Sequence, residues 1–246
     1  MAKTLILIPS RMAATRLPGK PLLKINNISI ISHVFKRAEE ADIGEVVVAT
    51  DDQEILKDVK KNGGKAILTS KDHKTGTDRI YEAYKKLNIK DVDYILNLQG
   101  DEPDINKNDI INLNNFMINQ NTELGTLAAI IEDNRMFNNR NVVKVITDKK
   151  LEKNNFPKAL NFTRDNLFKD YQNIYHHIGI YAYKVSALEM FISLDQTNSE
   201  KKNKLEQLRA LDNKLNINVA LAKSSPIGVD TEEDYLAIKK IMEYKI

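Results

Sequence analysis

The chain has 246 residues, 42% hydrophobic and 29% charged, with 37 basic against 34 acidic side chains and a net charge of +3. That length suits one large α/β domain or a core with an insertion, and so balanced a charge argues against a nucleic-acid surface. The absence of cysteine excludes a disulfide framework, a thiol nucleophile and a cysteine zinc site.

Only Met1, Ala2 and Lys3 precede the first apolar run, "TLILIPS", which reads as a buried strand. It is far shorter than the roughly 20 residues of a membrane span, and no signal-peptide pattern is present. The expectation is a cytoplasmic protein with no membrane partner. A helix follows in "SIISHVFKRAEEAD", with Ile30, Ile31, Val34, Phe35 and Ala38 on one face, then the strand "EVVVAT". "DQEILKDVKKNGG" reads as a helix stopped by Gly63-Gly64, "KAILT" as a third strand, "TDRIYEAYKKLN" as a helix and "DYILNLQGDEP" as a fourth strand. This β-α order predicts a mostly parallel sheet with helices on both faces and a site beyond the carboxyl ends of its strands. After residue 125 the pattern shifts to strands with few helices, "GTLAAII", "NVVKVITD", "KALNFTR" and "HHIGIYAYK", which predicts an antiparallel extension or a smaller mixed region. The helix "KLEQLRALDN", the strand "INVALA" and a helix in "SPIGVDTEEDYLAIKKIMEY" complete the chain.

Three strand-end segments carry candidate chemistry. "SRMAATRLPGKPL" presents Arg11, Arg16 and Lys20 around a Pro-Gly turn, a cluster able to clamp phosphate oxygens. It is neither a GxxxxGK[ST] loop nor a GxGxxG turn. In "DHKTGTDR", Gly76 suits a tight turn, and Thr75 or Thr77 caps the next helix and offers N–H groups to a ligand. "LQGDEP" ends a strand on Gln99, Asp101 and Glu102, a place where carboxylates hold a magnesium ion. Asp230 in "IGVDTEED" is a second candidate, although its spacing favours a helix cap by Asp230 or Thr231 with Glu233 or Asp234 completing a capping box. Farther along, Arg164 in "NFTR" suits a substrate carboxylate, and Glu206 and Gln207 in "LEQLRAL" suit sugar hydroxyls. His177 and Tyr181 in "HHIGIYAY" stand in an apolar setting, where a lone histidine is more often structural.

Taken in order, "IPSRMAATRLPGKPL", "VVVATDD", "DHKTGTDRI", "NLQGDEP", "NVVKVI", "HHIGIYAY", "LEQLRAL" and "GVDTEED" resemble the signature blocks of the 3-deoxy-manno-octulosonate cytidylyltransferase (CMP-Kdo synthetase) family. The resemblance implies a Rossmann-like nucleotidyltransferase domain over residues 1–246. Residues about 1–125 and 215–246 would form the nucleotide-binding core, and about 126–214 a mixed α+β sugar-binding and dimerisation region. It implies magnesium-dependent transfer of CMP from CTP to Kdo for lipopolysaccharide assembly, by a homodimer. On the matching positions, Arg11 and Lys20 bind phosphates, Arg16 supports the loop or the leaving pyrophosphate, and Asp101 and Asp230 hold magnesium. Thr75, Gly76, Thr77 and Gln99 complete the CTP site, while Gln99, Arg164, His177, Tyr181, Glu206 and Gln207 line the sugar-acid site. This sequence has "NFTR" where the family commonly has "YFSR", and "DNLFKDYQN" replaces a proline-containing segment. A modified Kdo such as an 8-amino analogue, or a sialic-type acid, therefore stays open as the acceptor. From a different class, a non-catalytic nucleotide-binding module fits less well, because both aspartates and all three loop cations are present.

Overall fold

The computed structural model describes residues 2–13, 16–165, 172–223 and 225–244. In chain order come β1 (Thr4–Ser10), a 3-10 turn (Lys20–Leu22), β2 (Lys24–Ile25), β3 (Ile28–Ser29), α1 (Ile30–Glu39), β4 (Gly44–Thr50), α2 (Gln53–Lys61) and β5 (Ala66–Leu68). Next are α3 (Gly76–Leu87), β6 (Tyr94–Asn97), α4 (Lys107–Gln120), β7 (Leu124–Ala129), α5 (Asn134–Asn138), β8 (Lys144–Thr147) and β9 (Ala159–Thr163). The remainder is β10 (Ile174–Lys184), α6 (Val185–Ser193), α7 (Asn198–Asn203), α8 (Leu208–Asp212), β11 (Asn218–Leu221) and α9 (Glu232–Tyr244). These elements cluster into two compact units, Met1–Ile110 with Pro226–Ile246, and Ile111–Ser225.

In the first unit β1 pairs in parallel with β4 on one side and β6 on the other, and β4 pairs in parallel with β5. Leu5, Ile6, Leu7 and Ile8 are all at most 1% exposed, so both faces of β1 are covered, the usual state of a parallel strand. The order β5-β4-β1-β6 reverses direction at β1, which opens a crevice at the carboxyl ends of β1 and β6. Each helix of this unit begins on a capping side chain that answers an orphan N–H: Ser29 for α1, Asp52 for α2 and Thr75 for α3. A satellite core of Ile25, Ile30, Val229 and Ile238 fastens α9 to the β2–β3 hairpin. Tyr235 adds a 2.7 Å hydrogen bond to the carbonyl of Lys24.

The strands of the second unit pair in mixed sense. β10 runs antiparallel to β7 and β8, β9 antiparallel to β8, and β11 parallel to β7. β7 groups here because its partners β10 and β11 come later in the chain. The units divide at 110/111 and 225/226. Between β7 and β10 the sequence predicts few helices, and the five-residue α5 stands there; after β10, α6 and α7 are additions to the sequence reading, while α8 falls in the predicted helix "KLEQLRALDN". Thr126 is fully buried at the β10 bulge between Ile178 and Tyr181, where its hydroxyl donates to the carbonyl of Ile180 at 2.7 Å.

Candidate active site

The exits of β1, β5 and β6 meet in the first unit around a cavity of about 360 Å³. Arg11, Arg16, Lys20, Thr75, Gly76, Gln99, Asp101 and Asp230 all line it. Local rules explain how each arrives. Gly19, at φ 72°, supplies the left-handed residue that turns the chain into the 3-10 segment carrying Lys20. Gly100 lets the β6 exit lie against the end of β1, since a Cβ there would meet the Pro9 carbonyl at 3.0 Å and Ile31 Cδ1 at 3.1 Å. The Val229 N–H donates to the Asp101 carbonyl at 2.9 Å, which sets Asp230 beside Asp101.

Lys20 Nζ lies 2.7 Å from Asp101 Oδ2 and 3.3 Å from Asp230 Oδ1, and Arg16 pairs with the other Asp230 oxygen at 2.9 Å. Two carboxylates therefore converge on one cation, although 129 positions separate them in the chain (230 − 101). This convergence is the fit that a magnesium ion needs from the protein: hard oxygen donors with positions left for phosphate and water. Among the described residues no group of three or more His, Cys, Asp or Glu could hold a metal. Of the two cap candidates that the spacing offers, Asp230 and Thr231, the helix uses Thr231. Thr231 and Asp234 form that box, the Thr231 hydroxyl accepting from Asp234 N–H and Asp234 Oδ2 accepting from Thr231 N–H at 2.9 Å. Asp230 is left to point its carboxylate at Lys20 and Arg16. Glu102 does not join the pair. It is buried with Oε2 unpartnered, and burial, then the charge of Asp101, raises its carboxyl to about 8.

Thr75 caps α3 in a full capping box with Asp78. Thr77 does not line the cavity: the second residue of α3, it is 2% exposed and its hydroxyl lies 3.5 Å from Asn97 Nδ2. The sequence reading missed His73, Lys74 and Arg79, which also line the cavity. His73 is held by Glu82, whose carboxyl also accepts from Ser70 N–H and pairs with Lys86. Burial opposes ionisation of Glu82, yet the hydrogen bonds from Lys86, Ser70 and His73 bring it down to about 2. Arg79 is buried and spends its guanidinium on Asp51 at 2.9 Å and Thr69 at 2.6 Å. All these residues stand in or beside the quoted "DHKTGTDR", but only helix periodicity from 73 to 82 hints at the His73–Glu82 contact.

Of the sugar-acid candidates only Gln99 belongs to the first unit; Arg164, His177, Tyr181, Glu206 and Gln207 lie in the second. His177 Nε2 is 3.0 Å from Thr126 Oγ1. Because that hydroxyl donates to Ile180 O, Nε2 carries the proton and donates to it. Burial, then the neighbouring His176, lowers His177 to about 3, so the ring is neutral. Its centroid is 5.4 Å from that of Tyr181, whose hydroxyl is raised well above 10 by burial, Tyr183 and Glu206. Glu206 and Gln207 occupy a turn just before α8, which starts at Leu208 and not, as the sequence predicts, before them. Arg209 in the same block is structural: buried, it clamps Glu200 at 2.9 and 2.7 Å and stacks 4.6 Å over Phe191. Residues 166–171 of the departing segment, with Ala14 and Thr15 of the first loop, lie outside the described residues.

A cytidylyltransferase family profile matches residues 5–217. A 3-deoxy-manno-octulosonate cytidylyltransferase from Thermodesulfovibrio yellowstonii is 43% identical, over 97% of this chain and 98% of its own. A solved CMP:2-keto-3-deoxy-manno-octonic acid synthetase complexed with CTP superposes with a TM-score of 0.89 at 34% identity, covering all of both chains. A cytidylyltransferase from Leptospira borgpetersenii, 22% identical with a TM-score of 0.66 over 100% of this chain and 89% of its own, shares the fold. A nucleotidyltransferase architecture whose strand ends gather loop cations and two aspartates, matched over nearly its full length by such relatives, makes this chain a member of the cytidylyltransferase family.

Proposed function

We propose that the protein transfers CMP from CTP to 3-deoxy-D-manno-octulosonate, giving CMP-Kdo and pyrophosphate for lipopolysaccharide assembly in the cytoplasm. The observation that carries this reading is the meeting of Arg11, Arg16, Lys20, Asp101 and Asp230 in one cavity of a chain similar end to end to a CTP-complexed synthetase. Arg11, Arg16 and Lys20 bind the triphosphate. The N-terminal turn of α3, with Thr75 and Gly76, offers its N–H groups to the nucleotide, and the sugar acid engages Gln99, Arg164, His177, Tyr181, Glu206 and Gln207.

Asp101 and Asp230 would hold a magnesium ion, which when bound supplies charge neutralisation at the α-phosphate. The anomeric hydroxyl of the sugar acid attacks the α-phosphorus; an O–P bond forms, the bond to the β-phosphate oxygen breaks, and the hydroxyl proton passes to solvent. Positioning and charge carry such chemistry, so no dedicated base is required. On triphosphate binding, Lys20 and Arg16 exchange carboxylate partners for phosphate oxygens, and Arg11 and Lys20 neutralise the departing pyrophosphate. Exposed Ile130 and Leu160 in the second unit support a homodimer through that region.

Pyrophosphate release from CTP and magnesium, measured with and without Kdo, tests the reading. Kdo-dependent release that falls about a hundredfold or more in Asp101→Asn is expected. Release only with an 8-amino or sialic-type acid moves the specificity, and silence with every acid and triphosphate leaves the non-catalytic module.

A further inference from the structure

A lysine opens the strand "KVIT", and nothing assigned so far uses it. Lys144 is 1% exposed, among the largest fully buried side chains of the protein. Its ammonium donates to two main-chain carbonyls, Asn139 at 2.8 Å and Arg164 at 3.1 Å. Burying a charge that meets only neutral acceptors is costly, and a methionine of similar length would fill the same space. The surroundings add to the cost. The guanidinium groups of Arg164 and Arg140 act against the ammonium, and Asp165, paired to Arg140 at 2.7 Å, acts in its favour.

The geometry shows what the ammonium holds. Arg164 reaches back from the end of β9, donating through Nη1 to the carbonyls of Arg140 and Asn141, each at 3.3 Å. Lys144 ties the main chain of Arg164 to Asn139, in that same turn. Backbone and side chain of Arg164 are thus both fastened to residues 139–141, one by Lys144 and one by its own guanidinium.

We infer that Lys144 is a positioning residue that fixes Arg164 to receive the carboxylate of the sugar acid. This rests on the reading of Arg164 proposed above.

The test is steady-state kinetics on the full chain for Lys144→Met, Arg164→Gln and the double variant, with KM measured separately for Kdo and CTP. Lys144→Met is expected to raise the KM for Kdo about tenfold while kcat and the KM for CTP stay within about twofold. Because Lys144 acts through Arg164, the double variant should resemble Arg164→Gln alone, whereas independent effects would multiply. Lys144→Gln, whose amide retains donors for the two carbonyls, should regain part of the loss, and it carries the comparison if the methionine variant does not fold. An unchanged KM for Kdo, an equal rise for CTP, or multiplying effects in the double variant overturns the inference. Wild-type protein that turns over CTP with no sugar acid overturns the reading beneath it.

Discussion

Single residues here do work that their neighbours in sequence do not announce. Lys20 finds Asp101 and Asp230 because a left-handed glycine and a Gly100 close approach bring three loops to one point. Asp230 escapes the capping role that its spacing suggests because Thr231, one residue on, is better placed to accept from Asp234 N–H. His177 shows how burial, with a neighbouring His176, sets a protonation state. Its folded value, about 3, lies below the ordinary 6.5, so between these the unfolded chain binds more protons. Stability on this account is present above pH 6.5 and is lost as pH falls toward 3. His177→Asn should therefore shrink the gain in Tm between about pH 5 and pH 7 by roughly 2–4 °C, measured by thermal scans of both proteins at both pH values. An unchanged gain would remove His177 from the acid response.

At the scale of elements, strands were easier to read than helices. β1 and β4 are runs of Leu, Ile and Val ending on polar residues, a pattern that burial on both faces demands. α1 and α3 show clean apolar periodicity behind a capping residue. α4 was not legible, because Asn residues interrupt the apolar positions of "KNDIINLNNFMINQ". In the "LEQLRAL" block the helix starts late: α7 ends on Lys204 in left-handed backbone, and Glu206 and Gln207 are used up in the turn between. The Thr75–Asp78 box is where element stability and the site coincide, since the same helix start lines the cavity. Thr75→Ala should cost about 1 kcal/mol of stability. It should also weaken CTP binding; urea unfolding and a CTP titration read the two effects, and a variant as stable as wild type would show that the cap carries no weight.

For the whole molecule, the expectation is two copies. Leu160 is 57% exposed on β9, which pairs with β8, and Ile130 is 58% exposed just past β7. Light scattering at micromolar concentration should give twice the chain mass, and Leu160→Asp should shift it toward one. A wild-type monomer mass would end that proposal. The amino-acid sequence by itself determined the parallel β-α core and the strand-end placement of Arg11, Arg16, Lys20, Asp101 and Asp230. Hydrophobic period and strand-end chemistry are local, and they survive in one dimension. Only the tertiary structure decided that Lys20 sits between Asp101 and Asp230, that Glu102 is withdrawn into the interior, and that Lys144 is a buried anchor instead of a surface charge. Each of those depends on where a side chain points and on partners 5 to 210 positions away, and packing alone settles that.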